Sequence, residues 1–126
     1  MLETLIHQLS QDLNIEEPAP LQVGHYKLAF ADGVEVDLLQ LPHSYLFKSS
    51  IGPAPDKNKE PFFAKLMEAN LFSRGTRGSA IGLKPDGNIL TLSFELSYNS
   101  SYKIFKEKLE DFVSVLEFWR SEAAKL

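Results

Sequence analysis

The stretch LMEANLFSRGTRGSAIGLKPDGNILTLSFEL, residues 66–96, has the most regular pattern in the chain. It predicts the end of a helix, a glycine-rich segment, a short strand at 79–83, a turn at 84–88 and a second strand at 89–96. In the second strand leucine and phenylalanine alternate with threonine, serine and glutamate, which predicts one buried face. The stretch holds no arrangement typical of a nucleophile, a general base or a metal ligand set, so it indicates a structural or binding role.

The N-terminal part of the chain predicts one helix followed by three strands. Pro18 and Pro20 are expected to end the helix. The runs HYKLAF and VEVDLLQL flank Ala31-Asp32-Gly33, and an Asp-Gly pair between alternating runs predicts a hairpin. A third strand, SYLFKSSI, follows Pro42. The helix is predicted from apolar residues that share one helical stripe: Leu2, Leu5, Ile6, Leu9 and Leu13.

Two further helices are predicted in the second half of the chain. The segment PFFAKLMEANLFSR is expected to begin at Pro61 and to end before Gly75, which can adopt the left-handed cap conformation. Its apolar residues surround most of the helix, so we expect it to need two packing partners. The last helix has an apolar face with three more apolar residues beside it. The face consists of Phe105, Leu109, Phe112, Val113, Leu116 and Trp119, and the residues beside it are Ile104, Val115 and Phe118.

The order of these elements is α-β-β-β-α-β-β-α. Strands joined by tight turns, with helices between them, predict an α+β fold on a twisted antiparallel sheet. At 126 residues the chain is expected to form a single domain over residues 1–126.

Composition excludes several classes of function. The formal net charge is −4 at pH 7, which disfavours nucleic acid and anionic membranes as partners. The chain has no cysteine, so disulfide frameworks and thiol chemistry are excluded. The first residues lack the basic start of a signal peptide, and no apolar run is long enough to cross a bilayer.

Candidate residues for catalysis or metal binding are few. His7, His25 and His43 have no HxxxH or HExxH spacing, which disfavours a metal site. Glu35 and Asp37 share a strand face, so a paired acid and base is geometrically possible, although alternating acids are more often the solvated face of a sheet. The glycines fit no phosphate-binding motif, and the basic residues near them form only a small patch. These residues are Gly75, Gly78 and Gly82, with Arg74, Arg77 and Lys84.

The apolar residues exceed what one small core can bury. The apolar circumference of the second helix, the off-face residues of the last helix and the aromatic strand SYLFK all contribute to this excess. For a soluble monomer such surface is a liability, whereas a dimer that also binds protein requires it. The residues alone therefore predict an obligate dimer with further apolar grooves.

The segment LMEANLFSRGTRGSAIGLKPDGNILTLS closely resembles the signature of the class I type III secretion chaperones, the Tir chaperone family. In that family a helix ending in EANL is followed by glycine-rich residues, a short GL strand, a DG turn and a further strand. The element order, the length, the acidity and the terminal helix FKEKLEDFVSVLEFWR are also similar. The resemblance covers nearly the whole chain, and the first sixty residues match in pattern more than in identity.

This resemblance implies a function that needs no catalysis, metal or cofactor. It implies a homodimer in the bacterial cytoplasm that binds the N-terminal chaperone-binding segment of secreted effector proteins without ATP. The chaperone keeps that segment extended and delivers it to the secretion machinery at the inner membrane. No nucleic acid partner and no membrane insertion are expected.

The resemblance also implies two sets of site residues. The dimer interface is expected on the second helix and the strand after it, at Phe62, Phe63, Leu66, Met67, Asn70, Leu71, Ala80, Ile81, Gly82 and Leu83. Effector binding is expected on the first helix and the first three strands, at Leu5, Ile6, Leu9, Leu13, Tyr26, Leu28, Phe30, Leu38, Tyr45 and Phe47. Roughly half of the second set is expected to be ordinary core, because most residues of an apolar stripe are.

Two other functions stay open at this point. A small enzyme could use Glu35, Asp37 and a histidine. An adaptor or structural dimer of similar fold would bind folded partners and would have no secreted client.

Overall fold

The computed structural model describes residues 1–30, 33–54, 59–72, 78–84 and 89–124, the side chains of residues 59 and 69–72 excepted. Its elements are α1 (Leu2–Leu13), β1 (His25–Ala29), β2 (Glu35–Gln40), β3 (Ser44–Pro53), α2 (Lys59–Phe72), β4 (Ala80–Leu83), β5 (Ile89–Ser97) and α3 (Tyr102–Ala124). Three helices and five strands in this order confirm the predicted α+β fold. None of the described helices is long and apolar enough to cross a membrane.

The strands form one antiparallel sheet in the order β1-β2-β3-β5-β4, so β1 and β4 are its edges. The first hairpin sets His25 opposite Leu39 and Ala29 opposite Glu35. It closes through a 2.7 Å hydrogen bond from the Phe30 N–H to the Val34 carbonyl. Gly33 supplies the positive φ of 73° that the turn requires, while Ala31 and Asp32 lie outside the described residues.

The second hairpin pairs β4 with β5. Ala80 lies opposite Ser93, and Leu83 lies opposite Leu90. The Lys84 N–H donates a 2.9 Å hydrogen bond to the Ile89 carbonyl at the end of the hairpin. The central residues of the predicted turn, 85–88, lie outside the described residues.

Helix α1 ends earlier than the proline-rich segment predicts. Asn14 adopts the left-handed conformation, with φ 54° and ψ 49°. The N–H groups of Asn14 and Ile15 then donate to the carbonyls of Gln11 and Ser10, at 3.2 and 3.0 Å. This is a Schellman cap, and asparagine tolerates its left-handed residue better than most side chains. The helix therefore stops at Leu13, and Pro18 is not what ends it.

The start of α1 is held by a side chain of the sheet. Met1 provides no side-chain cap. Instead the Leu2 N–H donates a 3.0 Å hydrogen bond to Gln40 Oε1, and Gln40 Nε2 donates to the Leu41 carbonyl. Gln40 thus satisfies one of the N–H groups that every helix start leaves without a partner.

Helix α2 begins at Lys59, so Pro61 is its third residue and not its first. Proline is accepted there because the N–H groups of the first turn have no carbonyl partner within the helix. Strand β3 extends to Pro53, two residues beyond the predicted end. The predicted cap at Gly75 and the basic residues Arg74 and Arg77 lie outside the described residues.

The chain divides into two compact units, whose boundaries fall within β3, β5 and α3. The first unit is Met1–Phe47 with Glu95–Glu110, and the second is Lys48–Phe94 with Asp111–Leu126. In the first unit the rings of Phe47 and Phe105 meet edge to face at 5.7 Å. In the second unit the Phe62 ring meets the Trp119 ring edge to face at 6.5 Å. The single domain over residues 1–126 stays a prediction.

The apolar face predicted for α3 is largely confirmed. Five of its six residues are buried, and Val113 is half-buried. Of the residues beside that face, Val115 is buried, while Ile104 and Phe118 are exposed. Helix α3 therefore keeps two apolar side chains at the surface of the chain.

Asp12 links the end of α1 to the start of α3. Its carboxylate accepts a 2.6 Å hydrogen bond from Lys106 Nζ and a 2.9 Å bond from the Tyr102 hydroxyl. The hydrogen bond from Lys106, then that from Tyr102 and the Lys106 charge, hold the pKa of Asp12 below its ordinary value. The same contacts with Asp12 raise the pKa of Lys106.

We expect Asp12→Asn to lower the melting temperature slightly at pH 7. A carboxylate whose folded pKa is depressed contributes stability above its unfolded pKa, roughly pH 4, and loses it as the pH falls through the folded pKa. The gap between wild type and variant should therefore close below roughly pH 4, which thermal unfolding followed by circular dichroism at several pH values would measure. The matched control is Glu107→Gln, an exposed acid on α3. A gap that persists unchanged into strong acid would contradict the role given to Asp12.

Candidate protein-interaction site

An apolar groove of about 310 Å³ lies on the second unit. Its lining comes from α2, β4 and β5 and consists of Phe63, Leu66, Met67, Ile81, Gly82, Leu83 and Leu90. None of these side chains is charged or hydrogen-bonding. The groove can therefore bind a partner only through apolar contact area and shape complementarity.

The spacing of residues on α2 explains how one helix serves both core and groove. Phe62 and Leu66 are four residues apart and are buried. Phe63 and Met67, also four apart, form the neighbouring stripe, and Met67 is 71% exposed. The predicted need of this helix for two partners thus has a structural counterpart, because one stripe is covered and the next is open.

Strands β4 and β5 supply the other side of the groove. Ile81 is buried, whereas Leu83 is 47% exposed. Gly82 lies between them and lines the groove with its backbone, because the side-chain position of Gly82 is on the opposite face of the strand, toward Thr91. Because β4 is an edge strand, the groove lies beside the edge of the sheet. Exposed Met67 and Leu83 next to an edge strand are features that soluble monomers usually avoid.

Six of the ten residues predicted for the dimer interface line this groove: Phe63, Leu66, Met67, Ile81, Gly82 and Leu83. Phe62 instead packs on Trp119 in the core, and Ala80 is exposed on β4. The side chains of Asn70 and Leu71 lie outside those the structure describes. Leu90 lines the groove without having been predicted, although its position in the β5 alternation indicated a buried-face residue. Its pairing with Leu83 brings it there.

The residues predicted for effector binding lie mostly in the core. Eight are buried: Leu5, Ile6, Leu9, Tyr26, Leu28, Leu38, Tyr45 and Phe47. Only Leu13 is exposed, and Phe30 is half-buried. The core share is therefore larger than the expected half, and which of the ten residues contact an effector stays a prediction. Sequence periodicity missed three exposed apolar residues of the α1–β1 connection, Ile15, Leu21 and Val23, because that connection has no regular period.

The candidate acid and base residues include one His–Asp pair. His25 Nε2 lies 3.0 Å from Asp37 Oδ1 on the outer face of β1 and β2. His7 pairs with Glu17 at 2.6 Å, and the ring of His43 lies 6.4 Å from that of Tyr98. Within the described part of the chain, no three His, Cys, Asp or Glu side chains are grouped so that they could hold a metal ion. A His–Asp pair at a solvated sheet face supports surface stability more directly than catalysis.

Comparison with known proteins gives matches along nearly the whole chain. The sequence profile of the Tir chaperone protein (CesT) family matches residues 4–120. A protein of Chlamydia pneumoniae, CPj0713/CpB0740, is 30% identical over 125 residues, which cover 97% of this chain and 95% of that protein.

Solved structures share the fold at lower sequence identity. The ExsC–ExsE complex matches with a TM-score of 0.78 and 17% identity, covering 97% of this chain and 92% of that chain. The Yersinia pestis type III secretion chaperone SycH, in complex with a stable fragment of YscM2, matches with a TM-score of 0.69 and 19% identity, covering 100% and 99%. YbjN of E. coli, described as a putative transcription regulator, matches with a TM-score of 0.68 and 20% identity, covering 99% and 92%.

Proposed function

Since the chain belongs to the Tir chaperone protein (CesT) family, we propose that it is a type III secretion chaperone that binds the N-terminal segment of secreted effector proteins. The observation that carries the proposal is the family match over residues 4–120. The fold supports it, because SycH, whose solved structure holds a bound fragment of YscM2, has the same architecture. The action proposed is binding without catalysis or ATP, in the bacterial cytoplasm.

The apolar groove is the proposed dimer interface. Met67 and Leu83 are exposed in a single chain, and an unfilled groove of about 310 Å³ lies between them and the floor formed by Leu66 and Ile81. A second copy that inserts the same α2 stripe would cover both exposed side chains of each partner. Such a two-fold arrangement uses one self-complementary patch, as most homodimers do.

Client binding is proposed on the first unit. Strand β1 is an edge of the sheet, so its outward N–H and C=O groups can pair with an added strand. Main-chain hydrogen bonds make few demands on the sequence of the client, while apolar side chains add affinity. A client held as an extended strand stays unfolded, which is the state that delivery to a secretion apparatus requires.

The proposal is tested by capturing the tagged protein from its own cells at moderate salt, followed by limited proteolysis and mass spectrometry. We expect one protected N-terminal stretch of a secreted protein, roughly 50–100 residues long, given the area that coupled folding and binding buries. Recovery of an intact folded partner, or of the chaperone alone, would contradict the proposal.

A second candidate function is an adaptor dimer that binds folded partners and has no secreted client. The fold shared with YbjN, described as a putative transcription regulator, favours keeping it. An adaptor would protect no extended segment from protease, so the same experiment separates the two functions.

A further inference from the structure

The connection between α1 and β1, residues 14–24 and hereafter the connector, carries several exposed apolar side chains. Three of its large apolar residues are well exposed: Ile15 at 53%, Leu21 at 57% and Val23 at 104%. Leu13, the last residue of α1, adds another at 46%. Four such side chains within eleven residues form an exposed apolar surface, which is typical of an interaction site.

The whole net charge of the protein lies on the same part of the chain. Residues 1–24 contain four of the 17 acidic residues and none of the 13 lysines and arginines. The remaining residues hold thirteen of each kind, so they contribute no net charge and residues 1–24 account for the formal −4. The four acids are Glu3, Asp12, Glu16 and Glu17.

Only part of this charge is compensated within the fold. Asp12 is neutralised by Lys106, at 2.6 Å, and Glu17 accepts a hydrogen bond from His7. Among the described residues, no basic side chain lies within ion-pair distance of Glu3 or Glu16. A negative field therefore remains beside the apolar side chains of the connector.

The effect of that field is visible at Tyr26 on β1. Burial raises the pKa of the Tyr26 hydroxyl above its ordinary value, and the charges of Glu3 and Glu17 raise it further. The geometry agrees, because Leu2 bonds to the Gln40 side chain and the Gln40 N–H bonds to the Gly24 carbonyl, so the start of α1, with Glu3, lies beside the start of β1.

The backbone leaves one stretch of β1 open for pairing. The His25 N–H donates to the Gln22 carbonyl at 3.0 Å, and the His25 carbonyl accepts from the Leu21 N–H at 2.8 Å, so the connector covers the first residue of the strand. Farther along, Lys27 and Ala29 direct their backbone groups toward the same edge, where no other described strand pairs with β1. An added strand would therefore run from the connector along this edge.

We propose that the connector and the adjoining edge of β1 are the docking surface for an extended polypeptide segment that alternates apolar residues with lysine or arginine. The inference rests on the proposed chaperone function and specifies the chemistry of its client. Apolar residues of the segment would cover Leu13, Ile15, Leu21 and Val23, while its basic residues meet Glu3 and Glu16. A second copy of this chain does not fit, because two surfaces of the same negative sign repel each other. Anionic lipid is excluded for the same reason.

The test uses two fluorescein-labelled synthetic peptides of about twelve residues, one alternating Leu and Val with Lys, the other with Glu at the same positions. Binding to the full-length protein is measured by fluorescence anisotropy at about 20 mM and about 300 mM salt, which span strong and weak ionic screening. We expect the Lys peptide to bind about tenfold more tightly than the Glu peptide at low salt, and the ratio to fall toward about twofold at high salt.

Two double variants, each with its own control, separate the contribution of charge to peptide binding from that of apolar contact. Glu3→Gln with Glu16→Gln should reduce the preference for the Lys peptide to about threefold or less, since it removes the uncompensated charges. The control with the same change in net charge is Glu107→Gln with Glu117→Gln, at exposed positions of α3, and it should keep the preference. Leu21→Ser with Val23→Ser should weaken both peptides about tenfold, whereas Ile104→Ser on α3 should change neither.

Each outcome of these experiments either supports or overturns the inference. Equal affinity for the two peptides, no binding of either, or the same loss in the α3 controls would overturn the inference. Its failure can be told apart from failure of the proposed function. If the wild-type protein protects an effector segment from protease and the connector variants protect it equally well, the chaperone function stands and the docking surface lies elsewhere.

Discussion

Replacing Met67 and Leu83 together by glutamate is expected to convert the proposed dimer into folded monomers. Both side chains are exposed in the single chain, so the changes should cost the monomer little stability. In the proposed dimer each interface would instead bury four new carboxylates without partners, and each buried unpaired charge costs several kcal/mol. We expect the dimer dissociation constant to rise by at least about a thousandfold.

Size-exclusion chromatography with light scattering measures this directly across a range of protein concentrations. The matched control is Ile104→Glu, which places a glutamate at another exposed apolar position, on α3, that is not among the residues lining the groove. The control should stay dimeric. A double variant that elutes as an unaltered dimer would contradict the assignment of the groove, and a wild-type monomer would contradict dimerisation itself. Substitution of Leu66 is less informative because its side chain is buried within the chain.

Trp119→Ala is expected to have the largest effect on folding. The Trp119 side chain is 1% exposed and meets two aromatic rings edge to face, Phe62 at 6.5 Å and Phe118 at 5.2 Å. Its removal loses the transfer free energy of a large ring and leaves a cavity, which together cost about 3–5 kcal/mol. Since single domains are stable by about 5–15 kcal/mol, this is a large fraction of the total.

Urea unfolding followed by circular dichroism would measure the loss, because Trp119 is the only tryptophan and its fluorescence disappears in the variant. Phe118→Ala is the matched control. Phe118 is the next residue of the same helix and another aromatic ring, but it is 47% exposed, so its removal should cost about 1 kcal/mol or less. If both variants lose the same free energy of unfolding, the difference in burial between Trp119 and Phe118 does not determine their contributions to stability.

Much of the fold follows from local patterns. The alternation of β5 and the Asp-Gly turns predicted both hairpins, since residues two apart on a strand share a face. The apolar circumference of α2 predicted two packing partners, and the groove lined by Phe63 and Met67 is the side that the single chain leaves open. The end of α1 was predicted less well, because a Schellman cap at Asn14 depends on a left-handed conformation that several residue types can adopt.

Sequence patterns predicted only part of the candidate sites. Leu5, Ile6 and Leu9 form the predicted stripe of α1, yet a stripe looks the same whether it packs on its own sheet or on a partner. The structure buries all three. Leu13 continues that stripe but is exposed, because the helix ends there and the chain turns away. The connector has no period at all, so its exposed Leu21 and Val23 could not be found by pattern.

By itself the sequence determined the order of the elements, the α+β class and the family to which the chain belongs. Periodicity, turn residues and the motif around residues 66–96 are local properties, and local properties can be read from neighbouring positions alone. Only the tertiary structure decided which apolar residues are core and which stay exposed on the single chain. That distinction depends on contacts between segments distant in the chain, such as the Phe62 ring against the Trp119 ring, which cover one face of α2 and leave another open.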